Sequence, residues 1–248
     1  MLTKRFAKHA LTYAKHAIIQ QKMGEELAEL FISNKRVCKE LCIFEFGSAH
    51  GEFSTILCQA LKRAKIKCTT LFCNDINDYA TVYNEAFAKN LGVDTLMFKC
   101  FDMNEVKNYL DSAFDVITSN ACLQWLNQKK VLGICKDFLR PNGELLLSSF
   151  GKDNLWQIRE TCGIGLEYLD IQTYKTLLSP YFKIIHLYEK HYDLDFINSL
   201  GVFRHLSKSG VNSITKDFIL TKSLLKQYQA QFGGIVSFHS IFIHAQKL

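Results

Sequence analysis

The chain has 248 residues, 48% of them hydrophobic, with 30 Lys and Arg against 24 Asp and Glu for a formal net charge of +6. That length and balance suit one large α/β domain with additions, provide for a substantial core and exclude extensive disorder. No run approaches the roughly 18 apolar residues of a membrane span, and the opening "MLTKRFAKHALTYAKH" lacks the apolar core and cleavage site of a secretory signal, so a cytosolic protein with no membrane partner is expected.

The charge is uneven along the chain. Residues 1–40 carry eight Lys and Arg against four Asp and Glu, residues 41–182 fourteen against sixteen, and residues 183–248 eight against four. Basic ends suit the steering of an acidic partner; solvated helix faces are the plainer reading. Nucleic acid is not expected, because no binding motif and no interleaved basic and aromatic stripe is present. The nine cysteines stand singly with no CxxC, so they read as reduced structural thiols and no metal site is expected.

In chain order, the 3.6-residue period of Phe6, Ala10, Tyr13, Ala17, Ile18, Leu27, Leu30 and Phe31 predicts helix through the first thirty residues. A strand follows over 41–46, then a turn holding Gly47 and Gly51, then a helix marked by Phe53, Ile56, Leu57, Ala60 and Leu61. Apolar runs next alternate with helical patterns: "CTTLFCND", a helix over 79–91, "TLMFKCF", a short helix over 105–110, "FDVITSN", a helix over 130–139 and "GELLLSSF". Such alternation implies right-handed crossovers and a doubly wound, mostly parallel α/β sheet.

The tail breaks the alternation. It reads as helices over 154–161 and 171–178, the strand "FKIIHLYEKHYDL", helices over 195–207 and 216–231, and a seventh strand, "IVSFHSIFIHAQ". The helical pair is too large for a turn, and open α/β sheets bind ligands beyond the carboxyl ends of their strands, so a lid is expected there. One domain results: a helical cap over 1–40, a core over 41–193 and 235–248, and a lid over 194–234.

The glycine turn lies where the first strand meets the first crossover helix. A Walker A loop fails, because Gly51 is followed by Glu52 rather than Lys-Ser/Thr, and the GxGxxG of a dinucleotide site is absent. What remains is Glu45, Gly47, three residues and Gly51, which resembles the first motif of class I S-adenosylmethionine-dependent methyltransferases. Ala49 stands where that family often has a third glycine, and Asn142 where a glycine is usual before the fifth strand.

The later strand ends carry the same resemblance. It implies that Asp75, closing "LFCND", accepts the ribose hydroxyls, and that Asp102, closing "KCFD", accepts the adenine amino group. It further implies that Asn120 and Ala121 of "FDVITSNACLQWL" face the cofactor with backbone while Trp125 borders the methyl group. Ser48, Asn74, Ile76, Phe101 and Met103 become cofactor neighbours on the same ground. Taken singly, each acidic residue also fits a helix cap.

Three stretches narrow the resemblance. "RFAKHALTYAKHAIIQQKMGEEL", "SSFGKDNLWQIRE" and "FRHLSKSGVNS" are similar to segments of the biotin-pathway malonyl-[acyl-carrier protein] O-methyltransferases. That family implies S-adenosylmethionine as cofactor, the free carboxylate of a malonyl group as methyl acceptor, and an acidic acyl carrier protein as partner. A carboxylate is ionised at pH 7, so no general base is needed; alignment and partial exclusion of water suffice. Its charge needs a cation, and the bidentate guanidinium of Arg204 is the first choice, with Arg159 as the alternative. Tyr13, His16 and Gln20 fall on one helix face and are expected to close the pocket, Tyr13 with a catalytic part and Gln20 against the cofactor. Asn212 is expected to hold the lid turn or touch substrate. A carboxyl methyltransferase for a free acid, and a cofactor-binding protein without catalysis, are the competing readings.

Overall fold

The structure, a computed structural model, describes residues 17–34, 40–208 and 218–248. Tyr13, His16 and Asn212 lie outside the described residues. In chain order the elements are α1 (Ile18–Ile32), β1 (Glu40–Phe46), α2 (Glu52–Arg63), β2 (Lys67–Asp75), α3 (Glu85–Leu91), β3 (Thr95–Cys100), β4 (Phe114–Ser119), α4 (Gln128–Phe138), β5 (Leu139–Phe150), α5 (Trp156–Cys162), α6 (Ile171–Leu178), β6 (Phe182–Asp195), α7 (Ser199–Lys208), α8 (Lys222–Phe232) and β7 (Ile235–Lys247). Two 3₁₀ turns, Met103–Asn108 and Leu123–Trp125, follow β3 and β4.

The seven strands form one sheet in the order β3-β2-β1-β4-β5-β7-β6. β1 pairs in parallel with β2 and with β4, and parallel pairing continues from β2 to β3 and from β4 to β5. The chain therefore travels outward from β1 in one direction, then returns to its other side at β4. That reversal opens a crevice beyond the carboxyl ends of β1 and β4, where sheets of this kind take ligands.

By internal contacts the chain forms two compact units. The larger contains the described residues 20–34, 40–149, 171–188 and 241–248; the smaller contains 17–19, 150–170, 189–208 and 218–240. The smaller unit thus takes in α5 and parts of β6 and β7 as well as most of the segment expected as a lid. The passages between units fall inside or at the ends of strands and helices, with no linker.

The core of the larger unit follows from the apolar runs. Ile43, Phe44 and Phe46 of β1, Leu71 and Phe72 of β2, Val116 and Ile117 of β4 and Leu145 to Leu147 of β5 are all buried, as parallel strands covered on both faces require. Phe44 packs edge-on to Phe72 at 5.7 Å and against Phe114 at 5.3 Å between ring centroids. α2 turns Phe53, Leu57, Ala60 and Leu61 inward at helical spacing while Lys62 and Arg63 complement the dipole at its last turn. On α1, Met23, Leu27 and Phe31 recur every four residues and are fully buried.

In the smaller unit, α7 buries Val202, Phe203 and Leu206, and α8 buries Tyr228. Phe203 meets Tyr228 edge-on at 5.3 Å, and the Tyr228 hydroxyl donates to Ile235 O at 2.7 Å. Asp153, His191 and His239 also gather there, the two imidazoles stacked at 4.2 Å. Both ring nitrogens of His239 are engaged: Nδ1 accepts from Asp153 N at 3.2 Å, and Nε2 donates to Glu189 Oε2 at 3.2 Å. Burial lowers the His239 pKa, which favours this neutral tautomer.

Candidate active site

The turn after β1 is bent by three left-handed residues: Gly47 (φ 68°), Ala49 (φ 44°) and Gly51 (φ 82°). Part of the demand for glycine comes from the chain itself. A Cβ at Gly47 would lie 2.7 Å from Cys122 Cβ, and one at Gly51 would lie 2.5 Å from Phe87 Cζ. Both the nitrogen and the hydroxyl of Ser48 donate to Asn74 O, at 3.0 and 3.2 Å, which ties the turn to the end of β2. Tyr83 adds a second anchor, its hydroxyl 3.1 Å from Ser48 O and 3.2 Å from Ala49 O.

Glu45 lies beneath the turn and is only 1% exposed. Ser54 Oγ donates to its Oε2 at 2.6 Å, and burial pushes its pKa up to about 8. At neutral pH it is therefore mostly a neutral acid tied to α2, and its described bond faces into the fold.

At the end of β2 the Asp75 carboxylate is fixed from two sides. Its Oδ1 accepts from Asn77 N at 2.9 Å and Asn77 Nδ2 at 3.2 Å, and its Oδ2 accepts from Ala49 N at 3.1 Å. Burial pushes its pKa up, and the Asn77 and Ala49 amides pull it back. Beside it Ile76 is an apolar side chain left 51% exposed. Asn74 Nδ2 reaches Phe101 O at 2.8 Å and so locks β2 to the end of β3.

At that next strand end, Asp102 Oδ1 accepts from both Asn104 N and Asn104 Nδ2 at 2.9 Å, capping the 3₁₀ turn and leaving Oδ2 open among the described residues. The capping role and a ligand role are thus compatible on one carboxylate. Phe101 stacks on Tyr109 at 4.4 Å, and Met103 is buried.

The end of β4 closes the crevice. Ser119 Oγ donates to Phe46 O at 2.7 Å. Ala121 is left-handed (φ 52°), and its nitrogen donates to Ser148 Oγ at 3.0 Å. The same Ser148 hydroxyl donates to Asn120 Oδ1 at 2.6 Å, while Asn120 Nδ2 donates to Gln20 O at 2.9 Å and joins α1 to the loop. Gln20 therefore enters this network through its backbone. Trp125 is half-buried in the 3₁₀ turn that follows.

Glu45, Gly47, Ser48, Gly51, Asn74, Asp75, Ile76, Phe101, Asp102, Met103, Asn120, Ala121, Trp125 and Gln20 all belong to the larger unit, and the bonds above join the strand ends that bear them. Arg159 and Arg204 belong to the smaller unit. Arg204 is exposed on α7; Arg159, also exposed, donates to Lys152 O at 2.9 Å. Sequence reasoning missed Tyr83, Ser148, Ser54 and Phe87, whose parts depend on partners far along the chain.

An acceptor cradle of this kind fits an adenosyl ligand. It offers an open carboxylate oxygen on Asp102, an oriented carboxylate on Asp75 and an exposed apolar surface at Ile76 between them in sequence.

The family profile described as "Methyltransferase domain" matches residues 44–147, the stretch that holds most of these strand ends. A malonyl-[acyl-carrier protein] O-methyltransferase of Calditerrivibrio nitroreducens is 30% identical over 100% of this chain and 97% of its own length. The chain belongs to the malonyl-[acyl-carrier protein] O-methyltransferase family. Members from Bacteroides helcogenes and Haemophilus influenzae are each 29% identical, covering 100% and 99% of this chain and 98% and 93% of their own lengths. Solved structures share the fold at much lower identity. The YcgJ protein of Bacillus subtilis superposes with TM-score 0.59 at 12% identity, covering 90% of this chain and 98% of its own. The N-methyltransferase NodS of Bradyrhizobium japonicum, solved with S-adenosyl-L-homocysteine, gives 0.51 at 12% identity, covering 95% and 98%.

Proposed function

We propose that this chain transfers a methyl group from S-adenosylmethionine to the free carboxylate of malonyl-[acyl-carrier protein]. The observation that carries this reading is the end-to-end match to the Calditerrivibrio relative, which spans the smaller unit as well as the methyltransferase core. Bound in the crevice, S-adenosylmethionine supplies an electrophilic methyl group on a sulfonium.

The chain's own residues then have separable tasks. Asp75 receives the ribose hydroxyls on a carboxylate already oriented by Ala49 and Asn77, and Asp102 offers its open Oδ2 to the adenine amino group. Ile76 covers the base with apolar surface, beside Phe101 and Met103. The turn from Gly47 to Gly51, with Ser48, and the loop at Asn120 and Ala121 line the remainder with backbone. Trp125 borders the methyl group.

On the acceptor side, the malonyl carboxylate arrives ionised, so the chain needs a cation and a dry, aligned pocket rather than a base. Arg204 is the clamp, with Arg159 as the alternative, and Tyr13, His16 and Asn212 complete the acceptor side. The carrier is an acidic protein and the chain's two ends are basic, so encounter is electrostatically favoured. The reaction belongs in the cytosol, where carrier and cofactor are found; no helix among the described residues is long and apolar enough to cross a membrane.

The test is transfer of labelled methyl from S-adenosylmethionine to malonyl carrier protein, read by mass on the intact carrier. A methyl ester on the malonyl group is expected. Equal turnover of free malonate would favour a free-acid methyltransferase instead, and cofactor binding without turnover would leave a non-catalytic binder.

A further inference from the structure

We propose that the outer faces of α7 and α8 form the surface on which the carrier protein docks, through an acidic helix of that partner. The proposal rests on the carrier-bound substrate read above and adds the place of contact.

The two helices are packed together as a pair. Ser199 N donates to Gln229 Oε1 at 2.7 Å, Ser199 Oγ donates to Leu225 O at 3.0 Å, and the inward faces meet at Phe203 and Tyr228. With those faces inward, Leu200, Arg204 and Lys208 recur every four residues on the solvent side of α7, and Lys222 and Lys226 do the same on α8. Neither helix carries an Asp or Glu. Among the described residues, none of these four cations forms an ion pair.

Four like charges with no carboxylate on either helix repel one another, whereas α1 to α5 each carry both signs. Bringing in an acidic helix relieves that repulsion, and the gain acts mainly on the rate of encounter and falls with salt. The patch also has the apolar component of a protein contact. Ile197, just before α7, is 100% exposed; Ile219, just before α8, is 77% exposed; and Leu200, in line with Arg204 and Lys208 on α7, is 37% exposed. Exposed aliphatic residues next to helices that carry only cations suit a partner helix with acidic flanks and an apolar stripe.

The test uses the full chain with Lys208→Glu, Lys222→Glu and Lys226→Glu combined, leaving Arg204 intact because of its part in holding the acceptor. A control carries Lys62→Glu, Lys129→Glu and Lys130→Glu, which makes the same change in net charge elsewhere. The α7–α8 variant should weaken carrier binding, measured by fluorescence anisotropy, and raise KM for malonyl carrier about tenfold at low salt, with cofactor affinity unchanged and the difference shrinking at high salt. Carrier affinity and KM within twofold of the parent, or an equal loss in the control, overturn the surface while leaving the reaction in place. If the triple Glu variant also loses cofactor affinity, the corresponding Gln variant decides by the same two readings. Failure of the parent chain to methylate malonyl carrier at all overturns the reaction instead.

Discussion

Asp75 Oδ2 accepts the backbone N–H of Ala49, 26 positions earlier, at 3.1 Å, and Ala49 holds a left-handed φ of 44°. The carboxylate proposed to receive the ribose therefore also braces the turn proposed to line the cofactor site. Asp75→Asn keeps the shape but loses the charge and sets an amide against the Ala49 and Asn77 donors. Charge-assisted bonds contribute about 1.5–3 kcal/mol, so cofactor affinity by calorimetry should fall roughly ten- to hundredfold. An unchanged affinity would remove Asp75 from the site.

Ala49→Gly should act in the opposite sense on stability. A left-handed non-glycine residue costs about 1–2 kcal/mol, while added glycine freedom in the unfolded chain takes back about 0.4–1 kcal/mol. The expected net is a small gain in the urea midpoint, with cofactor affinity within about threefold of the parent on the same energies. A clear loss of stability would mean that the alanine methyl makes a contact the turn needs.

Glu45 makes stability depend on pH. Its carboxyl titrates near 4.5 when unfolded and near 8 when folded, so the fold prefers the protonated form. The stabilisation it contributes is complete below pH 4.5 and is lost as pH rises through 8. Glu45→Gln keeps an acceptor for Ser54 and removes the titration. Relative to the parent it should gain stability between pH 5.5 and 8.5, on the order of a few kcal/mol, by chemical unfolding at several pH values.

Gly51→Ala meets two obstacles, the left-handed φ of 82° and Phe87 Cζ at 2.5 Å. Together they should destabilise by at least about 2 kcal/mol. Adding Phe87→Ala should restore the steric part and not the backbone part, a coupling of about 1 kcal/mol in a double-mutant cycle. Strict additivity would show that Phe87 is not the obstacle.

Ser148→Ala deletes the hydroxyl that joins Asn120 to Ala121. Loss of these buried bonds should cost about 1–3 kcal/mol of stability. Because Ala121 is held in a left-handed conformation, the change should also raise the KM for S-adenosylmethionine more than it lowers kcat. A stability loss with kinetics unchanged would make Ser148 a purely structural residue.

The strands were legible because their chemistry is local. β1, β2, β4 and β5 each hold a short buried apolar core, such as Ile43 and Phe44, Leu71 to Cys73, Val116 and Ile117, and Leu145 to Leu147, and β6 alternates less and more exposed positions near both of its ends. Helix ends were harder. The apolar pattern suggested helix from Tyr79, yet α3 begins only at Glu85, where Asn84 accepts from Phe87 N as its cap. The cap and the closing Gly92 were visible in the sequence; the longer periodicity masked them.

The shift matters, because it frees Tyr83 from a helix face to reach Ser48 and Ala49. Nothing local announces a hydroxyl whose partners stand 34 and 35 positions away. The acids at strand ends were legible as a motif, whereas the burial of Glu45 against Ser54 follows only once α2 lies along β1.

β7 follows every other strand in the chain yet sits inside the sheet, between β5 and β6. During translation, β6 emerges from the ribosome before the strand it must lie beside exists. Until Ile235 and the residues after it clear the exit tunnel, β5 and β6 both present unpaired edges, the condition under which nascent chains aggregate or recruit chaperones. Closure of this sheet is therefore a late event, and a ribosome stalled ahead of β7 would display an open β-edge to the cell.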